Sequence, residues 1–250
     1  MTNMVVIGAT GDVGRGIVAE LLRRGHNVAA VARNASRLAA LRTELGAGPR
    51  LLAVPGSLAD DGSAAALRVA LMAALGTLDS VVVAVNAPRQ PAPLAAHNSD
   101  QFAALIGGDL ITHYTAARAF IPALADGGVY LGIGGGSCDF VLHEGVPQSV
   151  AQAALRMLYR GLAHEFRDQP VRIRELIIAS VVNGVSTRSY ADPSWVSDNE
   201  IGHQVAAIID QPLQFPGPIL RMARRDSSGQ PVFSSEPPTK VQGFRQVAAL

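Results

Sequence analysis

Residues 4–14, MVVIGATGDVG, carry the pattern that decides the fold. The apolar run Met4–Ile7 is typical of a buried strand, and three glycines follow it at the spacing GxxGxxG. A helical pattern begins at Val13 and stops at Gly25, because glycine readily ends a helix. This order of strand, glycine loop and helix predicts a phosphate-binding turn. The glycines would let the backbone approach a pyrophosphate, and the helix N-terminus would supply free N–H groups.

The same region indicates which dinucleotide the turn would hold. The second predicted strand ends in Arg33 and Asn34, with no carboxylate nearby. An acidic residue there suits the ribose of NAD, whereas an arginine suits the 2′-phosphate of NADP, and Arg15 could reach the same phosphate. Nearly every basic residue of the chain is an arginine, so chance placement is the alternative explanation. NADP(H) is the predicted cofactor, and its predicted binding residues in the loop are Gly8, Thr10, Gly11, Asp12, Val13, Gly14 and Arg15.

Outward from this loop, short β-branched runs alternate with helical stretches rich in Ala and Leu. The further predicted strands are Asn27–Val31, Leu51–Val54, Asp79–Val85, Val129–Ile133, Val171–Ile178 and Gly217–Ala223. The further predicted helices are Ala35–Leu45, Asp60–Leu75, Ser99–Leu124 and Pro147–Arg167. The alternation predicts a single-domain α/β fold: a doubly wound, Rossmann-like parallel sheet of about seven strands. Residues 1–224 would form this domain, with a substrate loop at about 183–198, and residues 225–250 a surface hairpin and loose tail.

Composition excludes several classes of function. Hydrophobic residues make up 48% of the 250 residues and charged residues 16%, which excludes disorder for most of the chain. The net charge of +1 gives no electrostatic footprint for nucleic acid or an acidic membrane. The single Cys138 excludes an intrachain disulfide and a cysteine-based zinc site, and no metal site is expected. The apolar runs are too short to span a bilayer and no signal peptide is evident, so we expect a cytoplasmic protein.

The glycine loop and the turn Val85-Asn86-Ala87 make the chain resemble the short-chain dehydrogenase/reductase superfamily, over about Met4–Gly184. The resemblance implies that Asn86 and Ala87 line the cofactor site and that Ser57 and Leu58 border the adenine. It also implies a small-molecule substrate and a homodimer or homotetramer built on the two long helices.

The resemblance fails where this family carries its catalytic Ser, Tyr and Lys. Alignment of the helix puts Gln148 at the Tyr position and Gln152 at the Lys position, one helical turn apart. Glutamine does not titrate, so neither residue can give a proton to an alkoxide, although Gln152 could still hydrogen-bond the nicotinamide ribose. The Ser position falls within residues 134–136, all glycine, with Ser137 next to them. The Asn that many members carry on the preceding helix corresponds to Asp109.

The loop after the fifth predicted strand offers other candidates, because loops at the carboxyl ends of strands form the site in such sheets. Ser137, Asp139 and His143 lie there, and imidazoles commonly act as acids or bases near neutral pH. The alternative explanation is that a polar loop of this length commonly contains a histidine and acidic residues for solubility. Cys138 has no visible activating partner and is predicted to be a small buried residue. Tyr190, in the predicted substrate loop, could supply a phenol from another direction.

Three functions remain open at this point. The first is an NADP(H)-dependent oxidoreductase of a small apolar carbonyl or alcohol with a non-standard proton donor, and the resemblance favours it. The second is a non-redox enzyme, such as an isomerase, dehydratase or cyclase, that uses Asp139 or His143. The third is a catalytically inactive dinucleotide sensor. In each case Tyr190 and Trp195 could form apolar walls of the ligand pocket, and Arg188 could contact an anion.

Overall fold

The computed structural model describes residues 2–46, 48–88, 91–237 and 240. The strands are β1 (Asn3–Ile7), β2 (Asn27–Ala32), β3 (Leu51–Pro55), β4 (Leu78–Val83), β5 (Leu124–Gly135), β6 (Arg172–Ala179), β7 (Val182–Asn183), β8 (Val196–Ser197), β9 (Ile219–Arg225) and β10 (Pro231–Ser235). The helices are α1 (Asp12–Arg23), α2 (Ala35–Glu44), α3 (Asp61–Leu75), α4 (Ser99–Ile106), α5 (Thr112–Phe120), α6 (Val146–Glu165) and α7 (Asp198–Asp210). None of the helices in these ranges is both long and apolar enough to cross a membrane.

The strands form one sheet of eight in the order β10-β9-β6-β5-β4-β1-β2-β3, and β7 and β8 pair separately. Every neighbouring pair in the large sheet is parallel except β9 and β10. The chain runs from β1 to β2 and β3 on one side and then places β4 on the other side of β1. The crevice beyond the carboxyl ends of β1 and β4 is therefore the topological switch point, where doubly wound sheets bind ligands. The predicted α/β fold is confirmed, with one antiparallel strand added at the edge.

Both faces of the sheet are covered by helices. Along β1, Met4 and Val6 belong to the hydrophobic cluster that includes α1, α2 and α7. Val5 and Ile7 belong to the opposite cluster, with α3, α5 and α6. Because side chains alternate across a strand, a sheet buried on both faces requires strands that are apolar throughout. This explains the continuous apolar runs in the sequence.

The long helical stretch predicted over Ser99–Leu124 is present, but a wider turn lies in its middle and it ends before Leu124. α4 ends at Ile106, a π-helical turn spans Gly107–Ile111, α5 follows, and β5 already begins at Leu124. A Cβ atom on Gly108 would lie 2.7 Å from the Cβ of Ala87, so glycine allows the helix to approach the segment after β4 closely. Periodicity alone does not reveal the wider turn, since single π turns interrupt helices without ending them.

The C-terminal segment returns to the sheet. β10 pairs antiparallel with β9, within the segment for which the sequence predicts a hairpin. Glu236, just after β10, forms ion pairs with Arg156 and Arg160 of α6. The predicted loose tail falls largely on residues 238–239 and 241–250, which lie outside the described residues.

Candidate functional site

The glycine loop between β1 and α1 lies at the topological switch point. Gly8 has φ +86°, and a Cβ atom there would lie 2.1 Å from the carbonyl oxygen of Ala84, just after β4. A Cβ on Gly14 would lie 2.2 Å from the carbonyl oxygen of Gly8, whereas one on Gly11 would make an ordinary 3.4 Å contact with that oxygen. The fold itself therefore requires glycine at positions 8 and 14. At position 11 the glycine leaves backbone open on the side of the crevice.

The start of α1 completes the cradle. The helix begins at Asp12, directly after Gly11, and its first N–H to reach a carbonyl belongs to Arg15, which donates to Gly11. The N–H groups of Asp12, Val13 and Gly14 therefore have no acceptor within the helix, and the positive end of the helix dipole lies at the same place. A bare backbone and free donors at a helix N-terminus fit the pyrophosphate of a dinucleotide.

The side chain of Asp12 binds the predicted substrate loop. Its carboxylate accepts hydrogen bonds from the backbone N–H of Ser186, at 3.0 Å, and from the Ser186 hydroxyl. A Cβ on Gly184 would lie 2.4 Å from the Cβ of Asp12, so the loop approaches α1 closely there. The sequence analysis placed Asp12 in the cofactor loop, and the structure adds a direct link from this residue to segment 183–198.

The arginines predicted near a 2′-phosphate differ in their surroundings. Arg15 forms an ion pair with Glu44 at the end of α2. Arg33 is exposed just after β2 and has no acidic partner among the described residues. Asn34 caps α2, accepting the N–H of Arg37 at 2.9 Å. Arg33 is therefore the arginine whose guanidinium is available to an anion beside the crevice.

The residues predicted to border the adenine lie after β3. Ser57 is half-buried, and its hydroxyl oxygen accepts the N–H of Ala59 at 3.1 Å. Leu58 is buried in the hydrophobic cluster that includes α3. After β4, Asn86 is exposed and Ala87 is half-buried.

Gln152 is 1% exposed, and both ends of its amide are bonded within the protein. Its Oε1 accepts the backbone N–H of Gly135 at 2.6 Å, and its Nε2 donates to Oδ2 of Asp109 at 2.7 Å. Oδ1 of Asp109 accepts the N–H of Ala87. Two side chains thus join the segment after β4 to the end of β5. Gln148, one turn earlier on α6, is half-buried.

The glycines of β5 make room for buried polar side chains. A Cβ on Gly132 would lie 2.0 Å from the hydroxyl oxygen of Tyr159, and one on Gly134 would lie 2.2 Å from Oε1 of Glu175. A Cβ on Gly136, just after β5, would lie 2.8 Å from the Cα of Ala179. A serine at position 134 would therefore require Glu175 to move, and one at position 136 would require the backbone to move, whereas a Cβ on Gly135 would make only a 3.4 Å contact with Gln152.

Glu175 and His113 are buried titratable groups that no sequence motif marks. Burial raises the pKa of Glu175 to about 8, and its Oε2 has no hydrogen-bond partner among the described residues. Burial lowers the pKa of His113 to about 4, so this imidazole is neutral. Its Nε2 lies 3.1 Å from the carbonyl oxygen of Val85 and must donate, which leaves Nδ1 to accept the Tyr159 hydroxyl at 2.9 Å. Their contacts come from distant parts of the chain, so spacing could not have revealed them.

The loop after β5 holds the remaining candidates in different environments. Ser137 is half-buried in a 3₁₀ turn, and His143 is exposed. Partial burial raises the pKa of Asp139, but ion pairs with Arg221 and Arg156 outweigh it and leave the pKa below its ordinary value. Asp139 is thereby held ionised and anchors the loop.

The surroundings of Cys138 disfavour its reactive thiolate form. Burial raises the pKa of its thiol to about 11, so the thiol stays protonated near neutral pH. This agrees with the prediction of a small buried residue. The described residues contain no group of three or more His, Cys, Asp or Glu that could hold a metal ion.

The substrate loop brings aromatic groups together. The rings of Tyr190 and Trp195 meet edge to face, with centroids 6.0 Å apart. Arg188 lies 3.3 Å from Oδ2 of Asp198 at the start of α7. The loop therefore carries an apolar pair, and Arg188, which the sequence suggested could contact an anion, already has a carboxylate partner.

Comparisons with known proteins agree with this geometry. A family model described as short chain dehydrogenase matches residues 2–192. No curated protein sequence matches the chain at a significant level. Many solved structures do match.

Three of these structures are a complex with NADP, an apo protein with an atypical catalytic center and a complex with NADH. A metagenomic short-chain oxidoreductase in complex with NADP is 24% identical, with TM-score 0.76 over 89% of this chain and 96% of that one. A short-chain oxidoreductase from Pseudomonas aeruginosa PAO1, described as containing an atypical catalytic center, is 20% identical, with TM-score 0.78 over 89% and 95%. A 3-ketoacyl-(acyl-carrier-protein) reductase from Brucella melitensis complexed with NADH is 14% identical, with TM-score 0.78 over 89% and 96%. At these identities the likeness establishes the fold.

Proposed function

Because the chain belongs to the short chain dehydrogenase family, we propose that it is an NADP(H)-dependent oxidoreductase that interconverts a small, fairly apolar carbonyl compound and its alcohol. The observation that carries this proposal is the cradle at the switch point, where the backbone at Gly11 is open, the first N–H groups of α1 are free and Arg33 has no acidic partner among the described residues. The metagenomic relative solved with NADP supports the choice of cofactor.

The described residues would divide the binding of the cofactor among them. The backbone at Gly11 and the N–H groups of Asp12 and Val13 would hold the pyrophosphate. Arg33 would bind the 2′-phosphate, and Asn86 would border the nicotinamide ribose. The bound nicotinamide supplies the hydride chemistry, while the protein supplies position and electrostatics.

The proton must come from a group other than the residues at 148 and 152, since an amide does not titrate. We assign the orientation of the substrate oxygen to the Ser137 hydroxyl, at the end of β5, and the proton to His143, directly or through water. Tyr190 is the alternative donor. The Pseudomonas aeruginosa relative described as having an atypical catalytic center supports a family member without the usual arrangement.

Substitution of Arg33 tests the choice of cofactor. Arg33→Ala should weaken NADPH binding at least about tenfold and leave NADH binding nearly unchanged, because only the 2′-phosphate loses a charged partner. Calorimetric titration measures both affinities. Arg42→Ala, an exposed arginine on the last turn of α2, is the control and should leave both unchanged. Equal weakening of NADH and NADPH binding would contradict the role of Arg33.

Substitution of His143 tests the proton donor. With a carbonyl panel and NADPH followed at 340 nm, His143→Ala should lower kcat about a hundredfold and flatten its pH profile, since general acid catalysis typically contributes 10²–10⁴-fold. His164→Ala, at the far end of α6, is the control for a lost imidazole. An unchanged pH profile in His143→Ala, together with a large loss in Tyr190→Phe, would move the assignment to Tyr190.

A catalytically inactive dinucleotide sensor is the second candidate, and the bonding of Gln152 favours it. Both ends of this amide are bonded to Gly135 and Asp109, so the position of the family's lysine has become part of the framework. A sensor should bind NADP⁺ and NADPH with clearly different affinities and oxidise no NADPH with any carbonyl. Turnover with any member of the panel would rule it out.

We further propose that the protein acts in the cytoplasm as a homodimer or homotetramer. Exposed apolar side chains on α5, α6 and the π turn before α5 support an interface between copies: Ile111, Tyr114, Val150 and Met157. Light scattering after size-exclusion chromatography would measure the oligomeric state.

A further inference from the structure

We propose that Asp109 is a positioning residue, which acts with Gln152 to set the spacing between the two strand ends that flank the nicotinamide site. We call these two side chains, with the N–H groups of Ala87 and Gly135, the 109–152 lock. Its effect on the cofactor rests on the proposed function. Its hydrogen-bond polarity is a property of the folded chain alone.

The backbone fixes the polarity of the lock. Both of its ends are N–H donors, on Ala87 after β4 and on Gly135 in β5. A bridge of two side chains between two donors needs one partner that only accepts and one that both donates and accepts. A carboxylate and an amide satisfy this requirement: Asp109 accepts on both oxygens, and Gln152 accepts with Oε1 and donates with Nε2.

The burial of the lock makes this polarity strict. Asp109 is 2% exposed and Gln152 is 1% exposed, so water cannot replace a missing partner readily. With asparagine at 109, its side-chain NH₂ group would face the Nε2 donor of Gln152. Rotating the Gln152 amide by half a turn would bring its oxygen to the asparagine, but the Gly135 N–H would then have no acceptor. A carboxylate at 152 would face an acceptor with an acceptor. The asparagine at 109 breaks the bridge, and the carboxylate at 152 keeps it only if one of the two buried acids takes up a proton, so either single change lowers the stability near neutral pH.

The fold places the lock between the carboxyl ends of β4 and β5, beside the crevice. The π turn Gly107–Ile111 holds Asp109, and Gly108 within it lets the turn approach Ala87 closely. The lock thus connects the strand end that borders the nicotinamide ribose with the strand end that precedes Ser137. An uncharged side chain at 152 joins the two strand ends here, in the place where the family's lysine would otherwise act on the ribose.

A polarity swap tests the lock. Asp109→Asn and Gln152→Glu should each lower the Tm by several degrees, about 3–8 °C. The double variant Asp109→Asn/Gln152→Glu restores the three hydrogen bonds of the lock with the amide and carboxylate exchanged, so its Tm should return to within about 2 °C of the wild type. NADPH affinity should fall at least about fivefold in each single variant and recover in the swap. Asp126→Asn and Gln169→Glu, both exposed, are the matched controls and should change neither quantity.

The outcomes separate the lock from the proposed function. A swap no more stable than the weaker single variant would overturn the lock. Recovery of the Tm without any change of NADPH affinity in the single variants would overturn the positioning role and leave a structural bridge. If the wild type binds no NADPH, the proposed function and the positioning role both fail, while the Tm values still decide the polarity.

Discussion

Gly14→Ala is expected to abolish NADPH binding and to lower the free energy of unfolding by about 3 kcal/mol or more. The added Cβ would lie 2.2 Å from the carbonyl oxygen of Gly8 and 2.9 Å from the Cα of Ala9. These are backbone atoms, so no side chain can turn aside, and α1 must shift away from β1. Denaturant unfolding measures the stability, and calorimetric titration measures the binding.

Gly11→Ala is the matched control within the same loop. Its Cβ would make only an ordinary 3.4 Å contact with Gly8, so the stability of the free protein should change by less than about 1 kcal/mol. The same methyl group would occupy the surface that a pyrophosphate approaches, so NADPH affinity should still fall at least about tenfold. Equal stability of Gly14→Ala and Gly11→Ala would contradict the close approach of Gly14 to the carbonyl oxygen of Gly8. If Gly11→Ala bound NADPH normally, the phosphate would lie elsewhere.

Glu175→Gln is expected to make the protein more stable than the wild type above about pH 8. Burial raises the pKa of Glu175 from an ordinary 4.5 to about 8, so the folded state holds a proton that the unfolded state releases. The stability from this proton is fully present below about pH 4.5 and is lost as the pH rises to about 8. At about 1.4 kcal/mol per pH unit the loss approaches about 5 kcal/mol, and the glutamine variant does not suffer it.

Several charged or titratable groups surround the carboxyl of Glu175 and also affect its pKa. Arg156 and Arg160 of α6 lower the pKa, while Glu236 after β10 raises it, and both effects are smaller than that of burial. Tyr159 and Cys138 also face Glu175 electrostatically. Because the arginines are already paired with Glu236, they compensate the charge of Glu175 only in part.

Glu200→Gln provides a control of opposite sign. Burial raises the pKa of Glu200, but hydrogen bonds from Ser197 and Arg225 outweigh it and leave the pKa lowered. Its ionised form is the stabilising one, so the substitution should cost stability at neutral and higher pH. Urea unfolding of both variants between pH 5 and pH 9 measures the two slopes. A Glu175→Gln protein whose stability falls with pH as steeply as that of the wild type would contradict the buried, protonated carboxyl.

The fold could be predicted because its signals are local. The glycine loop, the apolar strands and the stop at Gly25 each lie within a short window of sequence, and the structure agrees with them. The π-helical turn Gly107–Ile111 could not be predicted in the same way, because the close approach of Gly108 to Ala87 joins residues about twenty positions apart. Hydrophobic periodicity describes one element at a time, so it carries no information about which distant segment packs against that element.

The candidate site likewise contains features with local sequence signals and features that depend on contacts made only after folding. The sequence suggested that Gln152 could hydrogen-bond the nicotinamide ribose, whereas the partners that the structure shows are Asp109 and Gly135, which lie 43 and 17 residues away. Arg15 was expected to reach a phosphate, and its pairing with Glu44 depends on how α1 and α2 lie beside each other. His113 and Glu175 are defined only by what surrounds them after folding. Spacing therefore predicts the order of strand, glycine loop and helix, but it does not predict the buried groups behind the loop.

The bare face of β5 also limits how this sequence can change over time. Tyr159 fills the space above Gly132, and Glu175 fills the space above Gly134, so neither glycine can gain a side chain while its large neighbour remains. The shorter side chain must come first at 159 or 175, and that step passes through a protein with an unfilled cavity. Positions 132 and 159, and likewise 134 and 175, are thus expected to be inherited in pairs.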